Sequence, residues 1–155
     1  MTPTPAQRPV WLDRFEKPEV EALVAGLDEG AEAFEAMRSL LIEGYEARES
    51  VEWRGAPWRW AMAYAIGAED APVVVFLIPN PESPLISLPV PISIAARSVP
   101  RSAPKPFRDA FEGSKQVGKV LWTEWDLRPE VIAEPVRALL EAMLGPPRQD
   151  DEQPG

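Results

Sequence analysis

Two runs of alternating apolar positions, separated by Gly55-Ala56-Pro57, mark the centre of the chain. Val51 and Trp53 precede the break, and Trp58, Trp60, Met62 and Tyr64 follow it at every second position. A period of two is how a strand presents one bulky face. Gly and Pro supply the dihedrals that a reversal needs, so the stretch predicts a β-hairpin. Upstream the period changes. Ala33, Phe34, Met37, Leu40, Leu41, Gly44 and Tyr45 share one side of a helix predicted over 29–47, and Asp28, Glu32, Glu35, Ser39, Glu43 and Glu46 share the other. Downstream, Val73–Ile78 is apolar throughout and rich in β-branched residues, as a strand covered on both faces would be. Residues 85–90 predict another strand, which Pro89 and Pro91 place at a sheet edge or end early, because proline cannot donate to a ladder. Residues 117–126 alternate Val120, Trp122 and Glu124 against Leu121, Thr123 and Trp125. Short helices are expected at 18–25 and 106–112. A last helical region at 129–144 carries the stripe Val136, Leu139, Leu140 and Met143; Pro135 should kink or split it, and Gly145-Pro146-Pro147 should stop it.

These elements predict an α+β fold in two layers. A mainly antiparallel sheet of four to five strands is expected to be packed by an N-terminal amphipathic helix and a C-terminal helix. The 155 residues suit one domain with a proper core. It is expected at 18–145, after a loose arm (1–17) whose Trp11 and Phe15 dock on the body, and before a disordered acidic tail (146–155). The 19 prolines cluster at the ends and between elements, as breakers and not as a repeat.

Charge and missing residue types narrow the chemistry. The net charge of −9 argues against general nucleic-acid binding, whose affinity comes from Lys and Arg neutralising phosphate. The chain has no Cys and no His, which excludes zinc sites built on those ligands, thiol nucleophiles, disulfides and Ser-His-Asp triads. No cofactor is implied. No stretch resembles a signal peptide or a membrane span, so the expected location is the cytoplasm, with no membrane partner. Residues 97–119 reverse the overall sign: six Lys and Arg face only Asp109 and Glu112.

The order of helix, four-strand meander, short helix, strand and C-terminal helix resembles the YdhG-like group of small bacterial domains. Val51-Glu52-Trp53-Arg54-Gly55-Ala56-Pro57 after an amphipathic helix, and Gly118-Lys119-Val120-Leu121-Trp122 before the final helix, carry the likeness over about 29–144. The resemblance implies a two-layer fold with antiparallel strands. By analogy with frataxin it also implies iron handling on an acidic helix, here Glu32, Glu35, Glu43 and Glu46, although fold analogy is poor ground for activity.

Four signals bear on function. Gly113 to Lys119 matches seven positions of a phosphate loop, but Val120 stands where a Ser or Thr hydroxyl should meet magnesium, and a strand follows where a helix should. A flexible loop entering a strand is the better reading. Glu32 with Glu35, and Glu43 with Glu46, sit three apart and offer oxygen ligands to a hard cation; a solvated helix face is the bland alternative. Glu52, Glu124 and Asp126 lie beside tryptophans that would raise a carboxyl pKa, yet strand carboxylates are more often free at the surface. Finally, Trp53, Trp58 and Trp60 with Arg54 and Arg59 form an aromatic and cationic cluster suited to a planar or anionic ligand, against ordinary packing under a helix. The favoured reading is a non-enzymatic binding or adaptor domain for an anionic small molecule or acidic partner. Its partly open groove is expected to be lined by Trp58 and Trp60, with cations from Arg54, Lys115 and Lys119 at the rim. Metal handling is the alternative, followed by a carboxylate or Lys enzyme and by a homodimer.

ATP with magnesium is expected neither to bind tightly nor to be hydrolysed. Calorimetric titration that showed tight binding abolished by Lys119→Ala would reverse this reading.

Overall fold

The computed structural model describes residues 10–148. The fold is α+β, with one antiparallel sheet of six strands, one more than the largest number expected. The strands are β1 (Arg48–Trp53), β2 (Trp60–Ile66), β3 (Val73–Ile78), β4 (Leu85–Pro91), β5 (Lys115–Val117) and β6 (Val120–Asp126), in the order β1-β2-β3-β4-β6-β5. The added strand is the short β5, exposed along its length, which pairs with β6 through the Gly118-Lys119 turn. Its three residues are too few to show a period.

The register assigns each strand residue to a face. Trp60, Met62, Tyr64 and Ile66 of β2 stand on one face, and Val75, Leu77, Ile86, Leu88, Val90 and Trp125 share a buried core with them. Phe34, Met37 and Leu41 from the N-terminal amphipathic segment and Val136, Leu139 and Leu140 from the C-terminal helix join that same core. The other face carries the small residues of β2. Ala61 and Ala63 form a second cluster with Phe76 and Ile78, against which Trp11, Trp58 and Trp122 pack.

The helices are α1 (Val20–Ala25), α2 (Ala31–Ser39), α3 (Ile92–Ser98), α4 (Lys105–Asp109) and α5 (Ala133–Leu144). Several boundaries correct the expected ones. The helix expected over 29–47 is α-helical only at Ala31–Ser39; Leu40–Gly44 widens into a π-helical turn, closed by Tyr45 N–H donating to the Leu40 carbonyl. Glu46 then takes a left-handed φ of 55°, which ends the helix. Gly44 sits where Pro147 passes close: a Cβ there would lie 3.0 Å from the proline ring. The Arg148 N–H donates to the Gly44 carbonyl, and Tyr45 Oη donates to the Gly145 carbonyl. Pro146 to Arg148 are thus packed onto the end of the π-helical turn, where a disordered tail was expected; 149–155 lie outside the described residues. Pro135 falls in the first turn of α5, where its missing N–H costs nothing, so it neither kinks nor splits the helix. α3 was not foreseen and buries no residue fully.

Of the arm expected at 1–17, residues 1–9 lie outside the described residues. Trp11 docks, donating from its indole to the Trp60 carbonyl, whereas Phe15 is 87% exposed and does not. β4 is an interior strand and not an edge. Its prolines are tolerated because β3 pairs it only at Leu85, Ile86 and Ser87, so the positions opposite Pro89 and Pro91 on that side carry no ladder.

One polar triad ties α2 to the edge of the sheet. Arg38 holds Glu49 of β1 through Nε at 2.6 Å and a second nitrogen at 3.1 Å, and Tyr64 Oη donates to the same carboxylate at 2.7 Å. Burial alone pushes the Glu49 carboxyl up, but the hydrogen bonds from Arg38 and Tyr64 together outweigh it and hold the group below its ordinary value. Burial is also the largest cause raising the Tyr64 phenol, followed by its bond to the carboxylate.

A carboxyl whose folded pKa is depressed stabilises the fold above its unfolded pKa and loses that contribution as pH falls through the folded one. Glu49→Gln is therefore expected to cost about 1.5–3 kcal/mol at neutral pH. The gap between variant and wild type should close as the pH falls below the carboxylate range. Urea unfolding at neutral and acidic pH measures this, and a gap independent of pH would contradict the assignment. Phe34→Ala, at a fully buried side chain, should cost about 3–5 kcal/mol.

Candidate functional site

The second face of the sheet is built in cross-strand rows. Ser50, Ala63, Phe76, Ser87 and Glu124 lie in one row across five strands. In the next row Pro89 of β4, Trp122 of β6 and Lys115 of β5 are neighbours. The β1–β2 hairpin tip brings Arg54 and Trp58 to this same face. Together they enclose a groove of about 740 Å³, lined chiefly by Arg54, Trp58, Phe76, Ser87, Lys115 and Trp122. That volume lies within the usual range for small-molecule sites.

The hairpin tip overturns one expectation. In an unbroken strand Trp58 and Trp60 would share a face, and the groove was expected between them. Arg59, however, adopts φ 61°, the left-handed region that a non-glycine side chain seldom visits. The conformation is held by Arg59 N–H donating to the Gly55 carbonyl at 2.6 Å and Arg54 N–H donating to the Arg59 carbonyl at 2.7 Å. The alternation is broken there, and Trp58 turns to the alanine face. Trp60 is 6% exposed in the core, and its indole donates to the Asp13 carbonyl at 2.7 Å. Trp53 meets Trp60 edge to face at 5.5 Å on the core side. The expected Trp53, Trp58 and Trp60 cluster is thus split between two faces.

The remaining expected residues divide in the same way. Arg54 lies over the Phe76 ring at 5.0 Å and pairs with Glu52 at 3.2 Å. Lys115 lines the groove from β5. Arg59 and Lys119 do not line it; Lys119 occupies the β5–β6 turn, where its carbonyl accepts from Ile92 N–H. Gly113 to Lys119 leads from a 3-10 turn into strands, so no helix N-terminus follows to receive phosphate. Glu32, Glu35, Glu43 and Glu46 are exposed, and among the described residues no three acidic side chains come together as a metal site.

Phe76, Ser87, Trp122 and Glu124 complete the groove. Trp58 and Phe76 lie 5.1 Å apart and Phe76 and Trp122 6.0 Å, an aromatic wall across three elements. Alternation along β6 already paired Trp122 with Glu124. Phe76 lies in a wholly apolar run and Ser87 in a strand without period, so nothing local announces their face.

The polar groups of the groove are unequally satisfied. Glu124 accepts from the Trp58 indole at 2.9 Å, and Asp109, also at the groove, accepts from Lys105. Lys115 has no ion-pair partner among the described residues. Ser87 is 1% exposed, and among the described residues its hydroxyl has no hydrogen-bond partner. A buried hydroxyl left unpaired costs about 1–3 kcal/mol. Lys115 can only donate and the Ser87 hydroxyl can donate, so one acceptor would serve both.

No family model, curated protein or solved structure matches this chain. Among the described residues, no helix is long and apolar enough to cross a membrane.

Arg59 yields a direct test of the hairpin tip. A β-branched residue tolerates the left-handed region poorly, so Arg59→Val should destabilise by about 1–3 kcal/mol. Arg59→Gly should stay within about 1 kcal/mol of wild type, relief of strain offsetting the added freedom of the unfolded chain. Chemical denaturation compares the two, and equal losses would remove the case for backbone strain at this position.

Proposed function

We propose that this domain binds an anionic small molecule in the groove between the hairpin tip and β6. The single observation that carries the reading is the buried Ser87 hydroxyl, unpartnered on the floor of a groove that Lys115 and Arg54 flank. The apolar part of the ligand would rest on Trp58, Phe76 and Trp122. Its charge would take hydrogen bonds from Ser87, Lys115 and the free edge of the Arg54 guanidinium. A cation over an aromatic ring and hydrogen bonds to a charged group both strengthen where water is displaced.

No catalytic step is assigned. Glu124 and Asp109 are the carboxylates at the groove, and each already accepts a hydrogen bond from a neighbouring side chain. A volume of about 740 Å³ suits a compact ligand.

Calorimetry with 2-naphthoate, a flat monoanion, tests the proposal. Binding is expected to weaken by about tenfold on Lys115→Ala or Arg54→Ala, the loss of one charge-assisted hydrogen bond. Ser87→Ala should also weaken it, while Lys119→Ala should not. 2-Naphthoate that fails to bind, or that binds equally to all four variants, would refute the groove.

A further inference from the structure

The ladder between β3 and β4 stops at Phe76↔Ser87. Continued in register, it would set Val74 against Pro89 and Pro72 against Pro91. Neither proline has an N–H to donate, so the ladder loses its β4 donors there, and β3 and β4 are unpaired beyond Ser87. The result is a slit of about 330 Å³ within the sheet. Val74, Pro89, Pro91 and Val120 form its walls, and Met143 and Leu144 of α5 also line it. Every one of these side chains is apolar. A cavity lined this way does not hold water well and receives apolar groups, and the unbranched Met143 adapts to irregular shapes.

Trp122 belongs to both cavities: it lines the groove toward Glu124 and the slit toward Val120. Ser87, Pro89 and Pro91 follow one another along β4 on a single face, so the unpartnered hydroxyl and the far end of the slit are four residues apart, about 13 Å along the strand. Polar demand lies at one end of this line and dry apolar wall at the other.

We infer that groove and slit are two halves of one site for a medium-chain monocarboxylic acid. The carboxylate sits at Ser87, Lys115 and Arg54, and the alkyl chain passes Trp122 into the slit between β3 and β4. This rests on the groove reading above and adds the chemical class of the ligand.

Butanoate, hexanoate, octanoate and decanoate, each below its micelle concentration, would be titrated into the full chain beside 2-naphthoate as a reference for the groove alone. Affinity is expected to rise about threefold to fourfold per methylene once the chain reaches the slit. Val74→Phe, which fills the slit, should flatten that rise and leave 2-naphthoate unchanged; Val117→Phe, at an exposed position on β5 outside the slit, should alter neither. In the wild type, the Val120 and Met143 methyl resonances should shift with decanoate and not with butanoate, which tests the slit even if a variant fails to fold. Binding of 2-naphthoate with no dependence on chain length would overturn the slit and leave the groove standing. Failure of every acid, 2-naphthoate included, would overturn both. Decanol or decylammonium binding as tightly as decanoate would overturn the anionic head group.

Discussion

The fold depends on the register of β2. Its residues alternate between large apolar side chains, Trp60, Met62, Tyr64 and Ile66, and the alanines 61, 63 and 65. A slip of one residue would exchange the two faces completely. The large set enters the core that α2 and α5 share, and the small set leaves shallow floor on the other side. Rings from neighbouring elements come to rest on that floor. Trp58, Phe76 and Trp122 approach one another over a row in which β2 contributes only a methyl group. The groove is in this sense a consequence of alanine.

Two local devices keep the arrangement in place. At the outer edge, Arg38, Glu49 and Tyr64 tie α2 to β1 and β2 through charge-assisted bonds. At the hairpin tip, the left-handed Arg59 interrupts the alternation for one residue. Ahead of it, Trp58 stands on the groove side, where its indole bonds Glu124, 66 positions away. Strained backbone of this kind persists where the surroundings over-determine it, and such positions gather at functional sites.

Prolines in β4 act differently. They remove donors on the side facing β3, and the interior of the sheet opens there. β4 and β6 remain paired along their whole lengths, so the opening does not loosen the second half of the sheet. The apolar slit and the polar groove then meet at Trp122, which gives the face a direction: acceptor demand at Ser87 and apolar wall beyond Pro89.

The sequence by itself determined the α+β class, the hairpin, the central strand at Val73–Ile78, the two faces of β6 and the apolar stripes of α2 and α5, because each of these is written in a local period. Three of its candidate groove residues, Arg54, Trp58 and Lys115, do line one groove, while Trp53, Arg59, Trp60 and Lys119 lie elsewhere. Tertiary structure decided what no period carries. Three exposed residues at 115–117 became a strand only by pairing with β6. Proline at 89 and 91 reads as an edge signal, yet β4 is interior, since a strand can lose one neighbour over half its length and keep the other. Phe76 and Ser87 gained a face only when register aligned them with Ala63 and Glu124. Trp58 and Trp60 share a parity along the chain, but Trp58 lies in the turn ahead of β2, and with the left-handed Arg59 between them the two stand on opposite sides of the sheet.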